Sequence, residues 1–387
     1  MDELLESAVG SGAVPGIAAV VTTPDGPIYE GAAGTLSVEG GEPVGPDTMF
    51  RIMSMTKAFT SVGALQLLEQ GRIGLEQPVA EILPAFGDKQ VLDGFDGDAP
   101  RLRPPARPVT IRHLLTHTSG LAYTFGNRDL LRWAELTGAP SLLTGARECL
   151  DAPLVHDPGT RWEYGLSTDW LGWVIEEVSG QTLDAYLTEH VFGPLGMTDT
   201  TFTPTDEQRA RMMQLHDRQP DGSLKHSTVV IQDPPEFAWG GGGAAASARD
   251  YERFLRAILR GGELDGQRVL KPETVDLMFT DHLDGAPLPE VMESAMPELT
   301  NDVPTLPFKQ GWGLGFHLIL EDVPGMRRAG TADWAGLFNS FYWVDRTTGV
   351  AAALMTQVLP FFDLPILGTL VQLEQAVYAQ AGVAAPA

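Results

Sequence analysis

The sequence predicts an α+β fold in which a discontinuous α/β domain, assembled from both ends of the chain, carries an inserted and mainly helical domain. Three observations carry that prediction. Strand signals occupy the opening segment, strand signals return in the last third, and the stretch between reads as helical pieces separated by proline- and glycine-rich loops. The boundaries expected from these shifts are residues 1–74 and 236–387 for the α/β domain and 75–235 for the helical one, with the functional site at their junction.

Taken in order, the chain begins with a helix that Val14-Pro15-Gly16 breaks. Residues 17–22 and 28–34 then flank the turn Pro24-Asp25-Gly26, a hairpin signal. A helix follows over about residues 54–70, with Ala58, Phe59, Val62, Leu65 and Leu68 near helical spacing and Gly71 as its stop. It has few charges on any face, so burial is expected all round. Further helices are expected over 109–118, 168–179 and 183–191. Gly240 to Gly243 read as a flexible joint ahead of a helix that Ser247 caps and that runs to about Arg260. Strands are expected over 313–320, 340–344 and 350–356, the last two joined through Asp345-Arg346-Thr347-Thr348-Gly349. A closing helix spans about 365–379, and residues 283–305, rich in Pro, Glu and Met, read as a surface excursion able to rim the site.

Composition narrows the function. The 387 residues are 43% hydrophobic, ample for a large core, and the formal charge of −25 disfavours nucleic acid and anionic membrane surfaces. No window of about eighteen apolar residues occurs, so no membrane span is expected. The start, Met1-Asp2-Glu3-Leu4-Leu5-Glu6, is acidic where a secretory leader is basic, which points to the cytoplasm. The single cysteine, Cys149, excludes an internal disulfide and reads as a small buried residue. The eight histidines show no His-Glu-x-x-His or other dense ligand spacing, so neither a metal nor a cofactor is expected. The glycine run lacks the Lys-Ser/Thr of a phosphate loop, and no Gly-x-Ser-x-Gly elbow occurs. Trp312, Trp343, Phe361 and Phe362 read as core aromatics.

Chemistry is concentrated in three stretches. In Phe50-Arg51-Ile52-Met53-Ser54-Met55-Thr56-Lys57, Ser54 and Lys57 stand three apart on one helical face. A neutral lysine there accepts the serine proton, and burial favours the neutral amine by disfavouring its charge. A helix-capping serine beside a surface lysine would give the same spacing. The second stretch, Trp162-Glu163-Tyr164-Gly165-Leu166-Ser167-Thr168-Asp169, puts Tyr164 at a loop-to-helix transition, where it can relay a proton or simply pack. The third, Asp333-Trp334-Ala335-Gly336-Leu337, is able to lend a backbone N–H to an oxyanion or to form an ordinary turn. His117, in Leu114-Leu115-Thr116-His117-Thr118-Ser119-Gly120-Leu121, reads as shaping a turn near the domain junction.

In this order the three stretches resemble those of the family VIII carboxylesterases, relatives of class C β-lactamases and penicillin-binding proteins in the serine β-lactamase-like superfamily. Leu114 to Leu121, Gly240 to Gly243 leading to Asp250-Tyr251, and Gly311-Trp312-Gly313-Leu314-Gly315-Phe316 extend the resemblance over nearly the whole chain. It implies a β-lactamase/transpeptidase-like fold with an antiparallel sheet flanked by helices. It also implies Ser54 as nucleophile, Lys57 as general base, Tyr164 as proton relay, and an oxyanion hole from the backbone N–H groups of Ser54 and Leu337. Trp334-Ala335-Gly336 takes the place of the third motif. Two departures bear on substrate. No lysine precedes Ser/Thr-Gly, since Lys271 is followed by Pro-Glu and Lys309 by Gln-Gly, and Leu166 stands where β-lactamases carry asparagine. Trp334 and Leu166 present apolar surface, so small, short-chain, uncharged carboxylic esters are expected rather than β-lactams. Acyl transfer, weak β-lactamase or peptidase activity, and a non-turnover acylated sensor remain the alternatives.

Overall fold

The computed structural model describes residues 1–382, and in it the two ends of the chain meet in one sheet. Helix α1 (Asp2–Gly10) leads into β1 (Gly16–Thr23), β2 (Gly26–Ser37) and β3 (Gly40–Pro43). The last third supplies β4 (Gln310–Trp312), β5 (His317–Ile319), β6 (Thr331–Gly336), β7 (Ser340–Asp345) and β8 (Val350–Met355). The eight strands run β4-β5-β6-β7-β8-β1-β2-β3, each pair antiparallel. The expected antiparallel sheet flanked by helices is therefore observed.

The central strands are apolar at nearly every position because both faces are covered. Along β1, Ile17, Ala19 and Val21 face one core while Ala18 and Val20 face the other. In β7, Phe341 and Trp343 separate from Tyr342 and Val344 in the same way. The first core is closed by α1 and the terminal helix α6 (Leu364–Gln380), through Leu5, Ile366 and Leu373. The second is larger and holds α2 (Thr56–Glu69), buried at every position from Thr56 to Leu67. Helix α3 (Ile111–Leu115) starts on a capping box between Thr110 and His113, and α4 (Ser167–Ser179) packs across α2. Ser247 caps α5 (Ala248–Leu259), its hydroxyl accepting from the Asp250 N–H.

Two local expectations change. Of the strand expected over 313–320 only β5 is strand; residues Gly313–Phe316 form the turn that joins it to β4, where Gly315 takes a φ of +96°. The helical region also contains a hairpin, Val91–Asp96 with Ala99–Arg103, joined by Gly97-Asp98. A two-residue Gly-Asp connection is itself a hairpin signal, but the flanking charges hide the strand pattern. Among the described residues no helix is long and apolar enough to cross a membrane.

Candidate active site

The strand Met49–Arg51 pairs with Ala245–Ser247 and delivers the chain into a single 3-10 turn, Met53–Met55, ahead of α2. Ser54 therefore sits on that tight turn rather than in the α-helix. Met53, just before it, is held at a φ of +46°, a conformation that side chains other than glycine rarely adopt. Lys57 lies in the first turn of α2 and is only 2% exposed. Its Nζ is 3.2 Å from Ser54 Oγ, 2.6 Å from the Gly241 carbonyl and 3.0 Å from the Tyr123 hydroxyl. The three-residue spacing thus becomes a direct contact.

Tyr123 and Asp169 complete this buried ring, and neither was expected there. The Tyr123 hydroxyl donates to Asp169 Oδ2 at 2.9 Å, and the Gly241 N–H donates to Asp169 Oδ1 at 2.9 Å. Burial, reinforced by the Asp169 charge, pushes the Tyr123 phenol well above its ordinary range, so it keeps its proton. Burial also pushes the Asp169 carboxyl up, opposed by Lys57, the Gly241 N–H and the Tyr123 hydroxyl. The sequence hint was that Asp169 falls in the first turn of the helix that follows Tyr164.

Tyr164 packs edge-to-face against the Tyr123 ring, 5.2 Å between centroids, and its own ring lies 4.7 Å from Lys57 Nζ. Its hydroxyl accepts from the Trp334 indole N–H at 3.1 Å. That bond joins the second and third stretches across the site. His117 packs against the Tyr164 ring, 5.2 Å between centroids, and offers Nε2 to Thr168 Oγ1 at 3.4 Å. Burial and then the Lys57 charge hold its imidazole far below its ordinary pKa, so it stays neutral. His117 itself takes a φ of +55°, in keeping with a turn-shaping role.

Strand β6 closes the site from the sheet side. A Cβ on Gly336 would lie 2.3 Å from the Ile52 carbonyl, so glycine lets the strand approach the turn that carries Ser54. Beyond it, the Leu337 N–H has no acceptor among the described residues. Ser54, Tyr164 and all of Trp334 to Leu337 border one open cavity of about 1110 Å³. Its walls are mostly apolar, with Leu142, Leu288, Met292, Met296, Phe308 and Phe361 among them. The 283–305 excursion does rim the site, and Phe361, Phe362 and the buried Trp312 line it, whereas Trp343 is wholly core.

Two site expectations are corrected. Leu166, the residue that precedes α4, is 4% exposed and packs within the larger core rather than lining the cavity. The glycines 240–243 are no loose joint. Thr60 holds the Gly240 carbonyl at 2.8 Å, and a Cβ on Gly241 would lie 2.5 Å from Asp169 Oδ2 and 2.6 Å from the Tyr123 hydroxyl. These residues are glycine because side chains from three elements close on their backbone. Cys149 is buried, as expected.

The beta-lactamase family model matches residues 1–375. Lovastatin esterase of Penicillium rubens is 34% identical, over 96% of this chain and 94% of its own. Monacolin J acid methylbutanoyltransferase of Aspergillus terreus is also 34% identical, over 98% of this chain and 95% of its own. A mutant of simvastatin synthase from Aspergillus terreus superposes with a TM-score of 0.85 at 31% identity, covering 98% of this chain and 94% of that one. Such relatives support acyl transfer or ester hydrolysis at a serine in general terms. With likeness of this extent in both sequence and backbone, the chain belongs to the beta-lactamase family, within the serine β-lactamase-like superfamily.

Proposed function

We propose that the protein is a serine carboxylesterase that cleaves uncharged carboxylic esters through an acyl-enzyme on Ser54. The observation that carries this reading is the 3.2 Å contact between Lys57 Nζ and Ser54 Oγ, opening on a large and mostly apolar cavity. Ser54 Oγ attacks the ester carbonyl as its proton passes to Lys57 Nζ. The backbone N–H groups of Ser54 and Leu337 hold the oxyanion. Trp334 already donates to the Tyr164 oxygen, which leaves the Tyr164 proton free for the departing alkoxide. Alcohol leaves, Lys57 returns its proton to the Tyr164 phenolate, and water, giving a proton to the restored pair, cleaves the acyl-enzyme as Ser54 Oγ takes that proton back.

A cavity of about 1110 Å³ is far larger than a short ester needs. The expectation of a small substrate is therefore narrowed to a compact acyl group, and the remaining volume is assigned to a bulky, apolar alcohol portion. A second reading, acyl transfer to such an alcohol in place of water, is favoured by the same apolar volume and by the names of the transferase relatives.

The test is turnover of p-nitrophenyl acetate and butyrate, with mass-spectrometric mapping of a fluorophosphonate adduct. Steady release and an adduct on Ser54 are expected, and Ser54→Ala should lose roughly 10³-fold or more in kcat. A single stoichiometric burst would point to a sensor, and faster turnover of nitrocefin than of esters would overturn the substrate class. Adding a bulky alicyclic alcohol separates the two acceptors, since a transferase yields the new ester at the expense of free acid.

A further inference from the structure

The ring of hydrogen bonds behind Ser54 has a direction, and that direction decides what Lys57 offers the nucleophile. Asp169 is 1% exposed and has no proton to give when ionised. Its Oδ1 takes the Gly241 N–H and its Oδ2 takes the Tyr123 O–H, which leaves the Tyr123 oxygen able only to accept from Lys57. The Gly241 carbonyl likewise only accepts. Two N–H bonds of Lys57 are thereby committed, one to Tyr123 and one to Gly241. A neutral amine has two N–H bonds and one lone pair, and the position that remains faces Ser54 Oγ.

We infer that Asp169 and Tyr123 are positioning residues that fix the hydrogen-bond polarity around Lys57, so that its lone pair meets the serine proton. The inference rests on Ser54 being the nucleophile and Lys57 its base. In the acylation step the Oγ–H bond breaks, an Nζ–H bond and an Oγ–C bond form, and the carbonyl π pair moves to oxygen. The new ammonium then keeps all three partners, with the Asp169 charge close by. Were Tyr123 free to turn its proton toward Nζ, it would cap the lone pair.

Asp169→Asn tests this, because the amide keeps the shape and inverts the polarity. The Gly241 N–H claims the amide oxygen, the amide nitrogen donates to Tyr123, and the Tyr123 proton turns to Lys57. Both kcat and the rate at which fluorophosphonate labels Ser54 are expected to fall roughly 10²–10³-fold, with KM changed less than about threefold. Adding Tyr123→Phe to Asp169→Asn removes the misdirected donor and should restore at least about tenfold of that rate. Tyr123→Phe alone should cost less than Asp169→Asn alone, and it stands as the test if the Asn variant does not fold.

Wild-type-like labelling in Asp169→Asn, a double variant no faster than the single one, or a Tyr123→Phe loss as deep as that of Ser54→Ala would each overturn the inference. Absence of Ser54 labelling in the wild-type protein would instead sink the nucleophile assignment beneath it.

Discussion

Two buried lysines in this protein serve different ends. Lys57 is ringed by Ser54, Tyr123 and the Gly241 carbonyl, whereas Lys89 donates to the Leu150 and Ala152 carbonyls at 2.6 and 2.8 Å beside the Trp170 ring. Burial pulls the Lys89 ammonium from 10.5 down to about 8. The folded value lies below the unfolded one, so the unfolded chain binds more protons between pH 8 and 10.5, and stability from this group rises with pH across that window. The cost of keeping it charged below pH 8 is on the order of 3 kcal/mol. The urea stability of the wild-type protein relative to Lys89→Met should climb over this range, and a flat difference would refute the assignment. At this scale the pair Ser54 and Lys57 was legible because three residues on one turn bring their side chains together whatever the rest of the chain does. Tyr123 and Asp169 were not legible, since they reach the site from 66 residues along the chain in one case and 46 more in the other.

Strand β6 and the turn carrying Ser54 form the element on which the site depends. Gly336 allows an approach that a methyl group would forbid, with the Ile52 carbonyl 2.3 Å from the position of a Cβ. Gly336→Ala should push β6 off the turn and misplace the Leu337 N–H. The acylation rate is expected to fall roughly 10²-fold, as for loss of one oxyanion donor, with about 1–3 kcal/mol of stability lost. Stopped-flow acylation and a thermal melt would read the two effects, and an unchanged acylation rate would remove Leu337 from the site. The same physics explains the 240–243 run. A glycine cluster in sequence signals freedom or close approach equally well, and only the neighbours Thr60, Trp239 and Asp169 decide for close approach. The turn Gly313–Phe316 was read as part of the strand that ends in β5 because Gly313 and Gly315 lie inside an otherwise apolar run, and burial of Leu314 and Phe316 preserves that pattern.

Over the whole molecule, the sheet with two cores places β6 beside the helical region, and the cavity spans residues from both, from Tyr123 and Leu142 to Trp334 and Leu370. Filling it should alter selectivity before chemistry. Met296→Trp is expected to shift the ratio of kcat/KM for a short p-nitrophenyl ester over that for an ester of a bulky alcohol at least about tenfold toward the short one, since a hydrophobic pocket discriminates by some 1–3 kcal/mol per group excluded. Parallel progress curves on the two esters check it, and an unchanged ratio would detach the cavity from the substrate. The sequence by itself determined the strands at the two ends, the buried helix after Ser54 and the Ser54–Lys57 pair, because alternation and helical spacing are local and act over a few residues. Tertiary structure alone decided that Leu166 is buried in the core, that Tyr123 and Asp169 close round Lys57, and that Ser54 opens on a large, mostly apolar cavity. Each depends on groups brought together by packing the sheet against the helices, which no spacing along the chain encodes.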